Sequence, residues 1–308
     1  MRVTVSNNIK QIKNRIVQDK AYYLLLLPAL VYVIIFNYVP MYGLQISFKN
    51  YKPYIGITGS PWIGLKHFDN FFHSVYFWRL IRNTLLLSVY GLVAGFPLPI
   101  FIALLLNEID EKWKKGFQTV LYAPHFISIV VLVGIINIMF SPSIGVVNTV
   151  IEALGGERHY FLADPKVFRH LYVWSGIWQG TGWGAIIYSA ALAGINPELY
   201  EAATIDGATR FQKVLHISIP SILPTVIIML ILQVGKLVSV GYEKVYLLQN
   251  AMNQEVSEVI STYVYKHGVI QTNYSFSAAI GLFNNVVNVC LLLLANSISR
   301  KIGETSLF

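Results

Sequence analysis

The chain has little cysteine and little charge. Of its 308 residues one is cysteine, Cys290, and only 12% are charged. A single cysteine excludes both a disulfide framework and a cysteine metal site within the chain. A soluble protein of this length carries roughly twice that charged fraction. Because 55% of the residues are hydrophobic, the sequence predicts a membrane protein.

Motifs for nucleotide, metal and hydrolytic chemistry are also missing from the sequence. The Gly235-Lys236 pair lacks the upstream glycine and the following Ser or Thr of a phosphate-binding loop, so ATP must bind on another chain. The glycine-rich run at 180–184 lies in an apolar stretch and follows no strand, which excludes a dinucleotide site. No HExxH motif occurs, and the seven histidines have no metal-ligand spacing. We expect no catalytic residue, metal or cofactor on this chain.

Apolar residues occur in long runs. A helix needs about 20 residues to cross a hydrocarbon layer of ~30 Å. We therefore predict an all-α integral membrane protein with six transmembrane helices, over 21–43, 82–107, 117–140, 168–194, 217–240 and 277–299. Residues 1–20 form an N-terminal segment, 21–299 the membrane domain and 300–308 the tail.

The net charge of +8 is explained by orientation in the membrane. Basic residues flank the apolar runs and form no stripe with interleaved aromatics, so nucleic-acid binding is not expected. With the N-terminus inside, Lys and Arg are about twice as dense in the cytoplasmic segments as in the external loops. This orientation places both termini and the 195–216 loop in the cytoplasm.

The polar stretch between the fourth and fifth predicted spans has clear helix signals. Asn196 can cap a helix that starts with Pro197. Gly207 can adopt the left-handed conformation that ends a helix. Thr209 and Gln212 have the spacing of a capping box. The stretch therefore predicts a helix over 197–206, a turn, and a second helix.

The same stretch carries a spaced motif. Glu201-Ala202-Ala203 is followed three residues later by Gly207, and nine residues after that by Ile217 with Ile219-Pro220. This spacing resembles the cytoplasmic loop of permease subunits in ATP-driven, binding-protein-dependent importers, with Ile219 where that family has Leu. The alternative is an amphipathic helical hairpin on the membrane surface, which does not explain a small Ala-Ala face ending on glycine.

The resemblance covers nearly the whole chain. GSPWIGLKHFDNFF, LYAPHFIS, GWGAIIYSAALAGINPELYEAATIDGA and STYVYKHG are similar to permeases that import oligosaccharides cut from complex polysaccharides. It implies the type I ABC importer fold in a bacterial cytoplasmic membrane. It also implies a second permease subunit, two cytoplasmic ATPases that hold ATP and Mg, and an external sugar-binding protein. The 196–216 loop would meet the ATPase through Glu201, Ala202, Ala203, Asp206, Gly207, Arg210 and Phe211.

Polar and aromatic residues inside the predicted spans are candidates for the substrate pathway. They are Trp174, Trp178, Trp183, Tyr188, Asn284, Asn288 and Lys236. The tryptophans could instead face lipid, the asparagines could join helices, and Lys236 could extend to the membrane interface. The stripe Gly176, Gly180 and Gly184 indicates close helix packing.

Two other features leave alternatives open. Val256, Val259, Ile260, Tyr263 and Val264 have helical spacing and predict an external amphipathic helix, either on lipid or in a docking surface for the binding protein. The chain could carry another small solute within the same superfamily. An ion-coupled secondary transporter is a different class, but no inverted repeat and no carboxylate inside a predicted span support it.

Overall fold

A computed structural model of the protein describes residues 18–303 and Ser306. Most of the predicted N-terminal segment and part of the predicted tail lie outside the described residues. Within these residues, helices provide the regular structure, and one antiparallel bridge joins Lys49 to Trp62. The α-helices are α1 Lys20–Val33, α2 Val39–Met41, α3 Gly56–Gly59, α4 Lys66–Phe72, α5 Phe77–Gly95, α6 Pro97–Glu108, α7 Glu111–Tyr122, α8 Ile129–Met139, α9 Val146–Ala153, α10 Pro165–Ala193, α11 Pro197–Ile205, α12 Arg210–Lys213, α13 Ile219–Val234, α14 Tyr242–Leu248, α15 Gln254–Ser257, α16 Ile260–Tyr265 and α17 Tyr274–Ile302.

Shorter helical segments of other types connect several of these helices. The π-helical turns are Ile34–Tyr38, Val214–Ser218 and Lys266–Ile270, and the 3₁₀ turns are Tyr42–Phe48, Pro53–Ile55 and Ala123–Phe126. The chain divides into two compact units, Met1–His67 and Phe68–Phe308.

In the first unit, an apolar helical stretch extends over Lys20–Phe48. It joins α1 to α2 and the following 3₁₀ turn without an extended break. A short loop then folds back, so that the rings of Phe48 and Trp62 stack with centroids 5.6 Å apart. The Nζ of Lys49 donates a hydrogen bond to the carbonyl oxygen of Ile57 at 2.7 Å, which ties the loop to itself.

Four helices of the described residues are long and apolar enough to cross a membrane, or five if one bent pair counts as a span. They are Lys20–Phe48, Phe77–Glu108, Arg210–Val234 and Tyr274–Lys301. The predicted fourth span is the 29-residue helix α10, which is long enough but rich in Gly and polar residues. The all-α membrane fold is confirmed, whereas the count of six spans is not.

The predicted third span, 117–140, is not one straight helix. Glu111–Phe126 and Ile129–Met139 meet at 94°. Pro124 has no N–H to continue the helical hydrogen bonds. Ser128 has an extended backbone, and its side chain accepts a hydrogen bond from the backbone N–H of Val131 at 3.3 Å, so a new helix starts there.

The fifth span was predicted over 217–240, and both of these bounds lie further along the chain than those of the observed helix. The helix runs from Arg210 to Val234, because the π-helical turn at Val214–Ser218 joins α12 to α13 without a break. Pro220 lies in the first turn of α13, where a missing N–H costs nothing. Lys236 therefore lies just beyond the helix.

Helix α10 is central to the second unit, where it packs against α5, α6, α7 and α13. One apolar cluster lies around its N-terminal half and includes Phe168 and Val173; another lies around its C-terminal half and includes Ala185 and Leu192. The tightest glycine on α10 is Gly182, where a β-carbon would collide with the carbonyl oxygen of Leu121.

The predicted amphipathic helix at 256–264 is split into α15 and α16. Val259, Ile260 and Tyr263 are buried against the protein's own core, so their apolar face rests on neither lipid nor a partner. Buried Asn83 fixes the break, since its Nδ2 donates hydrogen bonds to the carbonyl oxygens of Glu255 at 2.8 Å and Glu258 at 3.0 Å.

Candidate functional site

The polar loop between α10 and α13 adopts the local structure that its sequence predicts. The side chain of Asn196 accepts a hydrogen bond from the backbone N–H of Glu198 at 3.1 Å, and Pro197 starts α11. At the other end Gly207 has φ +77°, a conformation that favours glycine. The N–H of Ala208 then bonds to the carbonyl oxygen of Ala203 at 2.9 Å, which closes the helix end.

A capping box starts the second helix of this loop. Gln212 N–H donates to the Thr209 hydroxyl at 3.3 Å, and Thr209 N–H donates to the Gln212 side chain at 2.8 Å. Lys213 Nζ donates to the Thr204 hydroxyl at 3.2 Å, which links the second helix to α11. These bonds hold the two helices as one hairpin.

The outer face of this hairpin is exposed and partly apolar. Ile205 is 87% exposed and Phe211 is 73% exposed. Glu201, Ala202, Asp206, Gly207 and Arg210 are also exposed, while Ala203 is half-buried. Large apolar side chains that project from a polar loop are typical of a protein contact surface. Ile205 was not among the residues nominated from the sequence, although it lies within the motif.

An open cleft of about 620 Å³ follows one face of α10. Its lining includes Tyr172, Gly176, Gly180 and Gly184 from α10, with Lys244 from α14 opposite them. The amides of Gln179 and Gln233 and the hydroxyl of Thr181 also line it. Such a volume is within the range of small-ligand pockets, roughly 300–1,000 Å³.

Lys244 is the charged group at the buried side of the cleft. Its relative exposure is 8%. Nζ donates a hydrogen bond to the carbonyl oxygen of Tyr172 at 2.8 Å and lies 4.8 Å from the centroid of the Tyr172 ring. Burial lowers the pKa of the Lys244 ammonium to about 8, because the charged form loses solvation.

Comparison with known proteins identifies the family. Residues 95–304 match the model of the "Binding-protein-dependent transport system inner membrane component". The chain belongs to this family of transport permeases. It is 45% identical to protein LplB of Bacillus subtilis (strain 168), over 94% of this chain and 92% of that protein. It is 42% identical to the polygalacturonan/rhamnogalacturonan transport system permease protein YteP of the same organism, over 97% of this chain and 94% of that protein.

Solved structures agree with the sequence relatives. The permease has a TM-score of 0.87 to a chain of a bacterial ABC transporter involved in the import of the acidic polysaccharide alginate. The two are 42% identical, and the match covers 95% of this permease and 99% of that chain. A second structure is the bacterial alginate transporter in complex with alginate pentasaccharide-bound periplasmic protein, and the permease has a TM-score of 0.86 to its matching chain. The match covers 96% of this permease and 99% of that chain, also at 42% identity. The type I ABC permease fold expected from the sequence is confirmed.

The tryptophans predicted for the substrate pathway of this permease are half-exposed but do not line the described cleft. Trp174 and Trp178 are each 52% exposed. Trp174 Nε1 donates a hydrogen bond to the Tyr90 hydroxyl at 2.8 Å. The Trp183 ring stacks on His125 with centroids 4.4 Å apart. Their role in transport stays a prediction.

The other four pathway candidates have different surroundings. Tyr188 is buried in an apolar cluster. Asn288 accepts from the N–H of Val238 at 3.1 Å and donates to the Ser239 hydroxyl, so it joins α17 to the segment after α13. Asn284 has a buried Oδ1 without a hydrogen-bond partner in the part of the chain that the structure describes. Lys236 is exposed in a smaller cleft that shares Tyr172, Gly91, Gln233 and Gly241 with the larger one.

Sequence reasoning missed the cleft itself and Lys244. The glycine stripe of α10 is the sequence signal for the cleft, but the sequence alone favours the interpretation that the stripe packs against another helix. Within the described residues, Gly184 packs against α6, with its hypothetical β-carbon 3.1 Å from Pro99. A β-carbon at Gly176 would meet Lys244, and one at Gly180 would meet no described atom within 4 Å.

Proposed function

We propose that this permease imports oligosaccharides that an external binding protein delivers. The observation that carries the proposal is the likeness to the alginate importer chain, at 42% identity and a TM-score of 0.87. The name of YteP, a permease for polygalacturonan and rhamnogalacturonan, supports the same substrate class. The periplasmic protein in the second alginate structure carries a pentasaccharide, which supports delivery by a binding protein.

We propose that α11 couples the permease to a separate ATPase. The hairpin is rigid, because caps, the Gly207 turn and the bond from Lys213 to Thr204 all hold it. Ile205 and Phe211 project from it and offer apolar surface for a groove on another protein. ATP and Mg bind on that partner. Closure of two ATPase subunits then moves α11, and the spans change from inward-facing to outward-facing.

We infer that a second permease subunit completes the translocation path. The cleft along α10 is open, and Gly180 has no described neighbour that a β-carbon would touch. Exposed Trp174 and Trp178 lie on the same helix and provide aromatic surface on which sugar rings can stack. A heterodimer would enclose both features within the cytoplasmic membrane, with both termini and the α11 hairpin inside the cell.

Gene deletion and reconstitution test this function. Cells that lack the permease should lose growth on, and uptake of, one class of oligosaccharide, and the intact gene should restore both. In proteoliposomes that contain both permeases and the ATPase, uptake should require ATP and the binding protein. Uptake driven by an ion gradient without ATP would contradict the proposal, as would unchanged uptake in the deletion strain across a panel of oligosaccharides.

A further inference from the structure

We propose that Lys244 forms an anion site in the cleft and that the cargo carries an acidic group, such as a sugar carboxylate, to this site. The inference rests on the proposed transport function. It adds the charge of the cargo and the residue that recognises it.

The ammonium of Lys244 has hydrogen-bonding capacity left for a ligand. It carries three N–H donors. One donates to the carbonyl oxygen of Tyr172 at 2.8 Å, and the Tyr172 ring lies beside it at 4.8 Å. No other hydrogen bond from Nζ occurs among the described residues. The remaining donors are therefore available on a group that lines the cleft.

No carboxylate neutralises this buried cation. Among residues 18–303, none lies within 4.0 Å of the Lys244 Nζ; the four ion pairs of that part of the chain lie elsewhere. The acidic residue of the cleft, Glu243, is exposed and forms no ion pair with Lys244. A buried, unpaired charge lowers stability unless something compensates it. An anionic group of the cargo would provide that compensation.

Glycine at position 176 places no side chain between the ammonium and the cleft. A β-carbon there would lie 3.1 Å from the Lys244 Nζ. One turn further, a β-carbon at Gly180 would meet no described atom within 4 Å. The two glycines lie on one face of α10, so no side chain from this face separates the ammonium from the space of the cleft. A sugar carboxylate could reach it directly.

Two arginines extend the positive charge toward the predicted external end of α10. Arg169 lies on the same face as Gly176, seven residues earlier and about 10 Å along the axis. Its Nε is buried without a hydrogen-bond partner within residues 18–303, and Arg82 is close enough for the two guanidinium charges to repel each other. No carboxylate of the described chain pairs with either arginine. Neither arginine lines the cleft, but positive charge near one end of a cleft raises the local concentration of anions there.

Thiol chemistry tests the anion site without any sugar. The complete importer is assembled with Gly180→Cys in a Cys290→Ala background, so that the cleft carries the permease's one thiol. Reaction rates are measured with an anionic reagent, sulfonatoethyl methanethiosulfonate, and a cationic one, trimethylammonioethyl methanethiosulfonate. The anionic-to-cationic rate ratio should fall by at least about five-fold with Lys244→Met and be restored with Lys244→Arg. Equal ratios in all three proteins, or no reaction at Gly180→Cys, would overturn the anion site.

Transport of matched sugars tests the charge of the cargo. Uronate-containing oligosaccharides are compared with their carboxyl-reduced, neutral counterparts in proteoliposomes. Lys244→Met should lower uptake of the acidic sugars by at least about ten-fold, as expected for loss of a charge-assisted hydrogen bond. Uptake of the neutral sugars should change little, and Lys244→Arg should retain acidic uptake. Equal losses for both sugar types would mean that Lys244 is only structural, and preferred uptake of the neutral sugars would contradict an acidic cargo. If no oligosaccharide is carried, the proposed function fails while the thiol result still decides the anion site.

Discussion

Gly176 and Lys244 are adjacent across the cleft, so that a β-carbon on Gly176 would lie 3.1 Å from the Lys244 Nζ. Real β-carbon contacts are seldom this close, and the ammonium would have to move. Because the same ammonium donates to the Tyr172 carbonyl at 2.8 Å, a shift would also weaken the link between α14 and α10. The Lys244 ammonium can therefore occupy its present position because Gly176 has no side chain.

Gly176→Ala should therefore lower uptake of acidic oligosaccharides several-fold. Gly134→Ala is the matched control, because Gly134 lies in α8 outside the lining of the cleft, and a β-carbon there would meet no described atom within 4 Å. Both substitutions favour the helical conformation equally. Initial uptake rates in proteoliposomes, at equal amounts of assembled importer, provide the measurement. If the two variants behave alike, the contact between Gly176 and Lys244 is not important for transport.

The charge of Lys244 should make the cleft sensitive to pH. Its pKa is lowered by burial to about 8, so the ammonium is mostly charged at pH 7 and becomes neutral as the pH rises through about 8. The anionic-to-cationic reagent ratio at Gly180→Cys should therefore fall between pH 7 and 9. The thiolate fraction rises over this range but cancels in the ratio. The other titratable side chains that line the cleft are Tyr172, Tyr242 and Glu243.

Lys244→Arg is the control for the pH experiment, because a guanidinium keeps its charge throughout this range. Its reagent ratio should stay constant from pH 7 to 9. A fall of the same size in Lys244→Arg would assign the pH dependence to another group.

Asn83 should be important for the stability of the second unit. Its buried amide donates to two carbonyl oxygens of the 255–258 segment and accepts from Arg169 Nη2 at 3.2 Å. Asn83→Ala would leave those carbonyls without their donor, which costs about 1–3 kcal/mol. The midpoint of thermal unfolding in detergent should fall clearly. Asn70→Ala, on the exposed face of α4, is the control and should leave the midpoint unchanged.

The 196–213 hairpin could be predicted from the sequence because its determinants are local. Asn196, Gly207 and the pair Thr209 and Gln212 act within three residues of their partners, and each forms the cap or turn expected. The bend in the third span was also encoded locally, by Pro124 and Ser128. The residues on both sides of the bend are apolar, and hydropathy does not show whether a helix changes direction. The sequence therefore predicted one straight span.

The cleft could not be predicted in the same way, because its contacts are distant in sequence. Lys244 and Tyr172 are 72 residues apart. Asn83 and Glu258 are 175 residues apart. Nothing in the immediate neighbourhood of Lys244 distinguishes it from a lysine in an external loop. A stripe of small residues on a membrane helix is compatible with either a packed neighbour or an open space, and only the positions of the other helices decide between them.

The exposed carboxylate of Glu201 should contribute to attachment of the ATPase. If it meets a basic group in the groove, as the resemblance implies, Glu201→Ala should reduce the amount of ATPase that co-purifies with the permease. Glu198→Ala is a suitable control, because Glu198 lies in the first turn of the same helix. Equal retention of the ATPase by wild type and Glu201→Ala would exclude Glu201 from the contact.

The left-handed turn at Gly207 gives the most direct test of coupling. With φ at +77°, a β-branched side chain costs on the order of 1 kcal/mol or more, and relief of that strain would reorient α11. Gly207→Val should therefore abolish uptake and disconnect ATP hydrolysis from docking of the binding protein. Gly155→Val is the control, since Gly155 has a similar φ of +87° in the predicted external loop, far from α11 in sequence.

Both glycine variants should insert into the membrane at normal levels, since neither position lies in a span. The measurements are ATPase co-purification and the ATP hydrolysis that binding protein and sugar stimulate in proteoliposomes. Gly155→Val should retain co-purification and stimulated hydrolysis, because its strain is remote from the hairpin. Gly207→Val should lose stimulated hydrolysis even where some ATPase remains attached, because the helix would no longer transmit the movement. Full stimulation in Gly207→Val would mean that the 197–206 helix is not the coupling element, and the ATPase would then have to engage another cytoplasmic surface.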